Sequence, residues 1–588
     1  MRDYYEAELR LLHESAQDFA RAYPEQAGML NLNEVKDRDP YIERLLEGMA
    51  YLTAQIRQHI DDDIPQISET LLNQLWPHFL RPFPSASIAN FSAKAGQLQR
   101  TQVIDKGMLL LTGLVGGTYD PDKGKEDDRI ICRFRTTSEV KLNPLRIIKL
   151  QLDEQMGGGT SIKLSFQIDN GLSPNDLDLA GLKLYLHADP AIAIWLHQQL
   201  CRQLEKVRIS FPEQATRSAI EIDGRKAVKP AHMKPEDALI NMSGRSFHGF
   251  HLLQDYFCFR EKYMFIQLDG LQDIEWPYTS SLFDVEFKIK GICPTDHQLK
   301  KENFLLHCAP IINLFESTSE PVHLTHKRSD YAVIADTRAR EGIQVYSIDD
   351  VVGIDSQTGE RYPYYPMHSF EHRKKNGRYF HAHRQAFDNG QATTYINVGG
   401  KTKLHSEMLS CSITATNGSY PRRYLTEGKI KVPSVEFPSA YAEFSNVTRP
   451  TTMLEPPERA RFQWDLISHL SLNYSSLANK DTLQRLLRLY DWSQSEQNRR
   501  RIDGIKEVEV NAVDRIKRGA LMRGLDMKLI LHEDHYRSKA DICLFGQVLH
   551  HFFSMYAAMN CFIQTRILCH PSNEEIVWEP LLGENTPI

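Results

Sequence analysis

Nine cysteines in 588 residues, none of them in a C-x-x-C pair, exclude a disulfide scaffold and read as a reduced set of mostly buried thiols. Charge of one sign is lacking too. Seventy Lys and Arg nearly cancel 76 Asp and Glu, leaving −6, so no global basic field points to nucleic acid. Long hydrophobic runs are scarce. The best, ICLFGQVLHHFFSMYAAMNCFI at 542–563, carries Gln547, His550, His551 and Asn560, which are costly in lipid. It therefore reads as a buried helix over about 542–564 rather than a span. The first residues, Met1-Arg2-Asp3-Tyr4-Tyr5-Glu6, offer no apolar core for a secretory signal. No solenoid or propeller repeat and no low-complexity tract occurs.

Catalytic spacing is equally absent. There is no G-x-x-x-x-G-K-[ST], no G-x-S-x-G and no H-E-x-x-H. His381 and His383 flank Ala382 and on a strand face the same side, but no third ligand accompanies them, so they read as a surface pair. His532 with His535, and His550 with His551, receive the same reading. The acidic runs Asp61-Asp62-Asp63 and Asp349-Asp350 read as solvated loops, and the basic runs 372–375 and 499–501 as loop tips, with a partner contact the alternative. The expectation is a non-enzyme without metal or cofactor.

What is present is a change of periodicity along the chain. In the first ninety residues Tyr5, Leu9, Leu12, Ala16, Phe19 and Tyr23 recur at spacings of four and three, on one helix face. Asp39-Pro40 starts a second helix carrying Ile42, Leu45, Met49, Leu52 and Ile56. A third follows Ser68, and Pro77 bends or ends it. From about 86 to 450 alternation dominates, as in Ile162, Leu164, Phe166 and Ile168, with a helix opening at Asp189-Pro190. Strands are expected at 262–268, 283–290, 343–348 and 408–416. After a linker at 450–461 come helical patterns at 462–478 and 481–490 and a strand at 525–531. At roughly 150 residues per domain the length suggests about four domains. The fold expected is α+β and multi-domain: a helical segment at 1–90, antiparallel β-sandwich or barrel-like domains at 91–300 and 301–450, and a mixed α/β domain at 451–588.

Several blocks are recognisable in order. YYEAELRLL (4–12), DPYIERLLEGMAYLTAQI (39–56) and DDDIPQISETLLNQLWPHFLRPFPS (61–85) open the series. SFHGFHLLQDYFCFREKYMF (246–265), CAPIINLF (308–315), HKRSDYAVIADTRAREGIQVYSIDDVVGI (326–354), TATNGSYPRRY (414–424), LISHLSLNYSSL (466–477) and FGQVLHHFFSMYAAMNCFIQT (545–565) continue it. Together they resemble the TssF family, also called ImpG or VasA, of bacterial type VI secretion baseplates, itself similar to a wedge protein of contractile phage tails. Asp255 and Arg260 depart from the Glu and Pro usual there, and the tail 578–583 lacks an arginine expected after its proline.

The resemblance implies a structural subunit of the baseplate wedge. Two copies join one TssG, then TssK and TssE, around the VgrG hub, as a platform for sheath polymerisation. It implies a cytoplasmic location, docked on the inner-membrane complex, without a span of its own and without nucleic acid. Tyr5, Leu9, Leu12, Phe19, Leu45, Met49 and Leu52 then become the candidate residues for contact with TssG or the second copy. The competing reading is a cytosolic β-sandwich protein that binds or hydrolyses glycans, which requires a carboxylate cleft or aromatics exposed on a sheet.

Overall fold

The structure is a computed structural model. It describes residues 2–22, 41, 44–55, 69, 71–73, 76–116, 129–155, 158–169, 171–214, 217–240, 249–277, 280–294, 298–325, 327–338, 342–367, 377–386, 392–400, 407–457, 460–468, 477–517, 520–557, 559 and 561–583. Met1–Leu80 with Pro457–Ser471 form one compact unit, and Arg81–Pro456 with Leu472–Ile588 a second.

The smaller unit is helical where described. Its first helix is Arg2–Ala22. Residues 44–55 are helical with Ala50 and Ala54 wholly buried, so the small side chains mark the inward face. The helix start expected at Asp39-Pro40 lies outside the described residues. Pro77 opens the short 3-10 turn Pro77–Leu80, where its missing N–H costs nothing. Helix Ala460–Ser468 belongs to the same unit.

In the larger unit, six strands pair antiparallel in the order Ile430–Pro433, Leu109–Val115, Ile130–Thr136, Cys308–Ile312, Ala86–Ala93, Ala442–Asn446. The two edge strands meet through Asn446. Its Oδ1 accepts from Ile430 N at 2.9 Å and its carbonyl from Gly428 N at 2.9 Å, which curls the sheet toward a barrel. Phe91, Phe134, Phe437, Phe444, Leu110 and Leu425 fill its interior. A second sheet runs Ile220–Asp223, Leu204–Ser210, Leu282–Ile289, Gly159–Ile168, Leu145–Gln155. Here the alternation of Ile162, Leu164, Phe166 and Ile168 delivers all four to the core. A four-stranded sheet holds Val228–Pro230, Phe265–Leu268, Leu182–Leu186 and Phe304–Leu306, and an eight-stranded one is centred on Gln344–Asp355 and Glu407–Thr416.

Strand pairing cuts across the sequence divisions at 90, 300 and 450. Strand Ala86–Ala93 pairs with Cys308–Ile312 on one side and Ala442–Asn446 on the other. Phe83 and Leu454 form an isolated bridge beyond it. Antiparallel sheets close with whichever edge buries apolar surface, and sequence distance is no bar to that.

The last sheet is mixed: Ile505–Lys517, Ala520–His532, Cys561–His570 and Glu574–Val577, with Leu581–Leu582 also on the third strand. Ala520–His532 and Cys561–His570 run parallel, joined by helix Lys539–Tyr556. The helix expected over 542–564 therefore ends at Tyr556, and Cys561–His570 is a strand. Both elements are buried, so apolar residues run on without a break and periodicity alone cannot separate helix from inner strand. Gly546 lets the helix sit close, since a Cβ there would collide with the Trp578 ring and Ile567.

Candidate functional site

The blocks that carry the resemblance come together as joints of the scaffold. Asn313 and Asn417, both wholly buried, lock the six-stranded sheet to the eight-stranded one. Asn313 Nδ2 donates to Asn417 Oδ1 at 2.8 Å and to Arg133 O at 2.7 Å. Its Oδ1 accepts from Thr416 Oγ1 at 2.8 Å and from Asn417 N at 2.7 Å. Every polar atom of the Asn313 amide is thus engaged, the condition under which a buried network rigidifies a structure.

A second joint lies where helix Gly249–Cys258 packs on helix Lys539–Tyr556. Tyr256 and Phe545 rings are 5.9 Å apart, and Phe250 and Phe552 6.2 Å. Phe250 also stacks on Tyr490 at 4.8 Å, bringing in helix Lys480–Tyr490. The two unusual residues of the sequence both work here. Asp255 accepts from Lys262 Nζ at 2.6 Å and from Leu239 N at 3.3 Å. Burial pushes the Asp255 carboxyl up despite Lys262. Arg260, in the 3-10 turn Arg260–Tyr263, reaches Asp541, whose two oxygens also accept from Arg501 Nε, each at 3.1 Å. Burial opposes ionisation of Asp541, but Arg260 and Arg501 outweigh it and hold its carboxyl below the usual range. Sequence reading noticed Arg260 as a departure; its partner 281 residues away had no local signal.

The tail is anchored as an edge. Leu581–Leu582 pairs with Phe562 and Ile563, Trp578 Nε1 donates to Gln547 Oε1 at 2.8 Å, and the Arg202 guanidinium lies 4.4 Å over the Trp578 ring.

His381 and His383 do share a face, 6.1 Å apart, and His383 stacks on Tyr395 at 5.7 Å. Among the described residues no group of three His, Cys, Asp or Glu side chains could hold a metal. The glycan reading needs aromatics exposed on a sheet, whereas Trp76, Trp276, Trp492 and Trp578 are buried and the exposed Trp464 lies on helix Ala460–Ser468. Burial raises the thiols of Cys132, Cys201, Cys308 and Cys569 to about 12, which makes them poor nucleophiles. Among the described residues no helix is long and apolar enough to cross a membrane.

The helical unit offers a different kind of site. Tyr5, Leu9 and Leu12 are half-buried on the first helix, and the Phe19 side chain lies outside the described residues. Leu45, Met49 and Leu52 point outward, 64%, 48% and 59% exposed, opposite the buried Ala50 and Ala54. Tyr41 and Tyr51, which the spacing rule passed over, are exposed as well. An apolar stripe on the outer face of a helix is surface that water contacts at a cost of roughly 25 cal/mol per Å².

Comparison with known proteins agrees with the motif reading. The family model "Type VI secretion system, TssF" matches residues 1–585. Type VI secretion system component TssF1 of Pseudomonas aeruginosa is 27% identical over an alignment of 634 residues covering 99% of this chain and 98% of that protein. A chain of the cryo-electron microscopy structure of the type VI secretion TssK-TssF-TssG baseplate subcomplex superposes with a TM-score of 0.74 at 29% identity, over 92% of this chain and 100% of that one. A chain of a type VI secretion baseplate complex superposes with a TM-score of 0.62 at 26% identity, over the whole of both.

Proposed function

The chain belongs to the TssF family of type VI secretion systems and is a baseplate subunit of that system, and from this we propose that it works as a non-catalytic wedge component bound to TssG and TssK. The observation that carries the assembly reading is the correspondence of almost the whole chain to one in a TssK-TssF-TssG subcomplex. The physical support is a scaffold rich in buried polar joints, together with the outward stripe Leu45, Met49 and Leu52. In the finer reading two copies bind one TssG, TssK and TssE complete the wedge, and wedges surround the VgrG hub beneath the sheath. The assembly then stands in the cytoplasm, against the inner-membrane complex.

Co-expression of this chain with its TssG and TssK, followed by size-exclusion chromatography and native mass determination, tests the reading. A stable complex with two copies of this chain per TssG is expected. Recovery of the chain alone, folded and uncomplexed, would overturn it.

A further inference from the structure

Strand Gln344–Asp355 carries two β-bulges where it pairs with Glu407–Thr416. Val345 faces Ala415 and Ser347 faces Thr414, so Tyr346 is an extra residue; Ile348 faces Ile413 and Asp350 faces Ser412, so Asp349 is another. A bulge re-aims the side chain it carries. Asp349 finds donors there, since its oxygens accept from Ser347 Oγ and Thr414 Oγ1, each at 2.7 Å. Tyr346 does not. It is 6% exposed, yet its hydroxyl has no hydrogen-bond partner. A buried polar group left unpaired calls for an explanation.

Three guanidinium groups act on this phenol. Burial raises its pKa, and Arg81, Arg135 and Arg384 pull the other way, so the hydroxyl stays protonated and able to donate. The Arg81 guanidinium carbon lies 5.5 Å from the centre of the Tyr346 ring. Arg384 is engaged by Glu455, Nη2 to Oε1 at 2.9 Å. Arg81 and Arg135 are half-buried, and among the described residues their guanidinium groups make no hydrogen bond and no salt bridge. Burial depresses the pKa of Arg135, and Tyr346, Glu316 and Asp349 offset that only in part. Two half-buried cations thus flank an orphan hydroxyl, all within the larger unit.

We propose that Arg81, Arg135 and the Tyr346 hydroxyl form a carboxylate-binding site, and that its ligand is an Asp or Glu side chain of TssK or TssG. Planar guanidinium groups match a planar carboxylate, and the phenol supplies a further donor. Glu455 and Asp349 offset two of the three cations, and Glu316 is exposed, where solvent screens it. The site therefore suits one negative charge rather than the two of a phosphate. A docked protein subunit also shields the pair from water, which strengthens it in a way a free carboxylate does not. The inference rests on the baseplate reading above and adds a polar contact to the apolar N-terminal stripe.

Carbodiimide joins an amine to a carboxylate only when the two touch. Arg81→Lys and Arg135→Lys each put an amine in place of a guanidinium, and each variant is checked by circular dichroism and melting before assembly with TssK and TssG. Mass spectrometry of the complex is expected to find the substituted position joined to an Asp or Glu of TssK or TssG, and to lose that link in the isolated chain. The unsubstituted chain gives a second measure: phenylglyoxal labelling of Arg81 and Arg135 is expected to slow at least tenfold in the complex. Links confined to carboxylates of the same chain, or unchanged labelling in an intact complex, overturn the inference and leave the baseplate reading standing. So does a link only to a second copy of the chain, or one equivalent of inorganic phosphate retained by the purified chain and lost in Arg135→Gln. Failure of the unsubstituted chain to bind TssK or TssG overturns the baseplate reading instead, and this inference with it.

Discussion

Lys262 Nζ lies 2.6 Å from Asp255 Oδ2 with each side chain only 2% exposed, an ion pair closed off from water inside the joint between the central strands and the C-terminal helices. A pair this dry is worth little against an apolar replacement of the same shape, yet breaking it strands a charge. Lys262→Met is therefore expected to cost about 3–5 kcal/mol in denaturant unfolding. Lys262→Met with Asp255→Leu is expected to recover most of that loss. A double variant no more stable than the single one would show that the pair positions the turn rather than merely neutralising itself.

Asp541 answers to two arginines, and each arginine lies in a different segment of the chain. Asp541→Asn keeps the shape and removes the charge that Arg260 and the 2% exposed Arg501 face. Because the folded-state pKa of Asp541 is lowered, its contribution is present above the unfolded carboxylate range and is lost as pH falls through the folded value. The wild-type chain is expected to be more stable than Asp541→Asn at pH 7, and the gap is expected to narrow as pH falls below about 4. Melting curves of both proteins across that range check it.

Phe552 is wholly buried among Phe250, Phe553 and Tyr556, at ring separations of 6.2, 5.7 and 5.2 Å. Phe552→Ala is expected to destabilise the larger unit by about 3–5 kcal/mol, read from the shift of the denaturant midpoint at constant slope.

Buried histidines make the chain acid-sensitive well above the carboxylate range. His550 bonds Thr565 Oγ1 at 2.9 Å and the Glu579 carbonyl at 3.0 Å, the latter contact requiring a proton on Nε2 and leaving Nδ1 to accept. Burial, then His551, lower its pKa to about 3; burial lowers His307 to about 4. A group whose folded pKa is depressed is fully compatible with folding above its unfolded pKa of about 6.5. Stability is lost as pH falls from there toward the folded value. At pH 5 each such histidine is expected to cost on the order of 2 kcal/mol relative to pH 8. His550→Gln is expected to flatten the pH dependence of the melting temperature between pH 5 and 7.

Much of this fold was legible where one face of an element is wet. Alternation at 162–168 and the Asp189-Pro190 start of helix Pro190–Arg202 stand where expected, although Asp189 makes no side-chain cap bond. Legibility failed where neighbouring residues are buried alike, as over 562–565, because no wet face remains to mark a period. It failed again for long-range pairings such as Arg260 with Asp541 and Asn313 with Asn417, since each residue is an ordinary polar side chain in its own segment. The outward stripe was half visible. Spacing put Leu45, Met49 and Leu52 on one face, but only exposure distinguishes a face awaiting a partner from a face packed at home.

That distinction gives the sharpest test of the N-terminal surface. Leu45 and Leu52 are 64% and 59% exposed, so Leu45→Asp with Leu52→Asp is expected to leave helix content and melting temperature of the isolated chain nearly unchanged, within about 1 kcal/mol. On the proposal that TssG covers this stripe, the same side chains become buried in the complex, each contributing roughly 1.5–3 kcal/mol, so two carboxylates there oppose docking strongly. Capture of TssG by the double variant is expected to fall at least tenfold. Leu9→Asp, at a half-buried position, is expected to lower both stability and capture, and so separates a core residue from a contact residue. A folded double variant that still captures TssG in full yield would assign the stripe to some other neighbour and move the search for the TssG contact elsewhere in the chain.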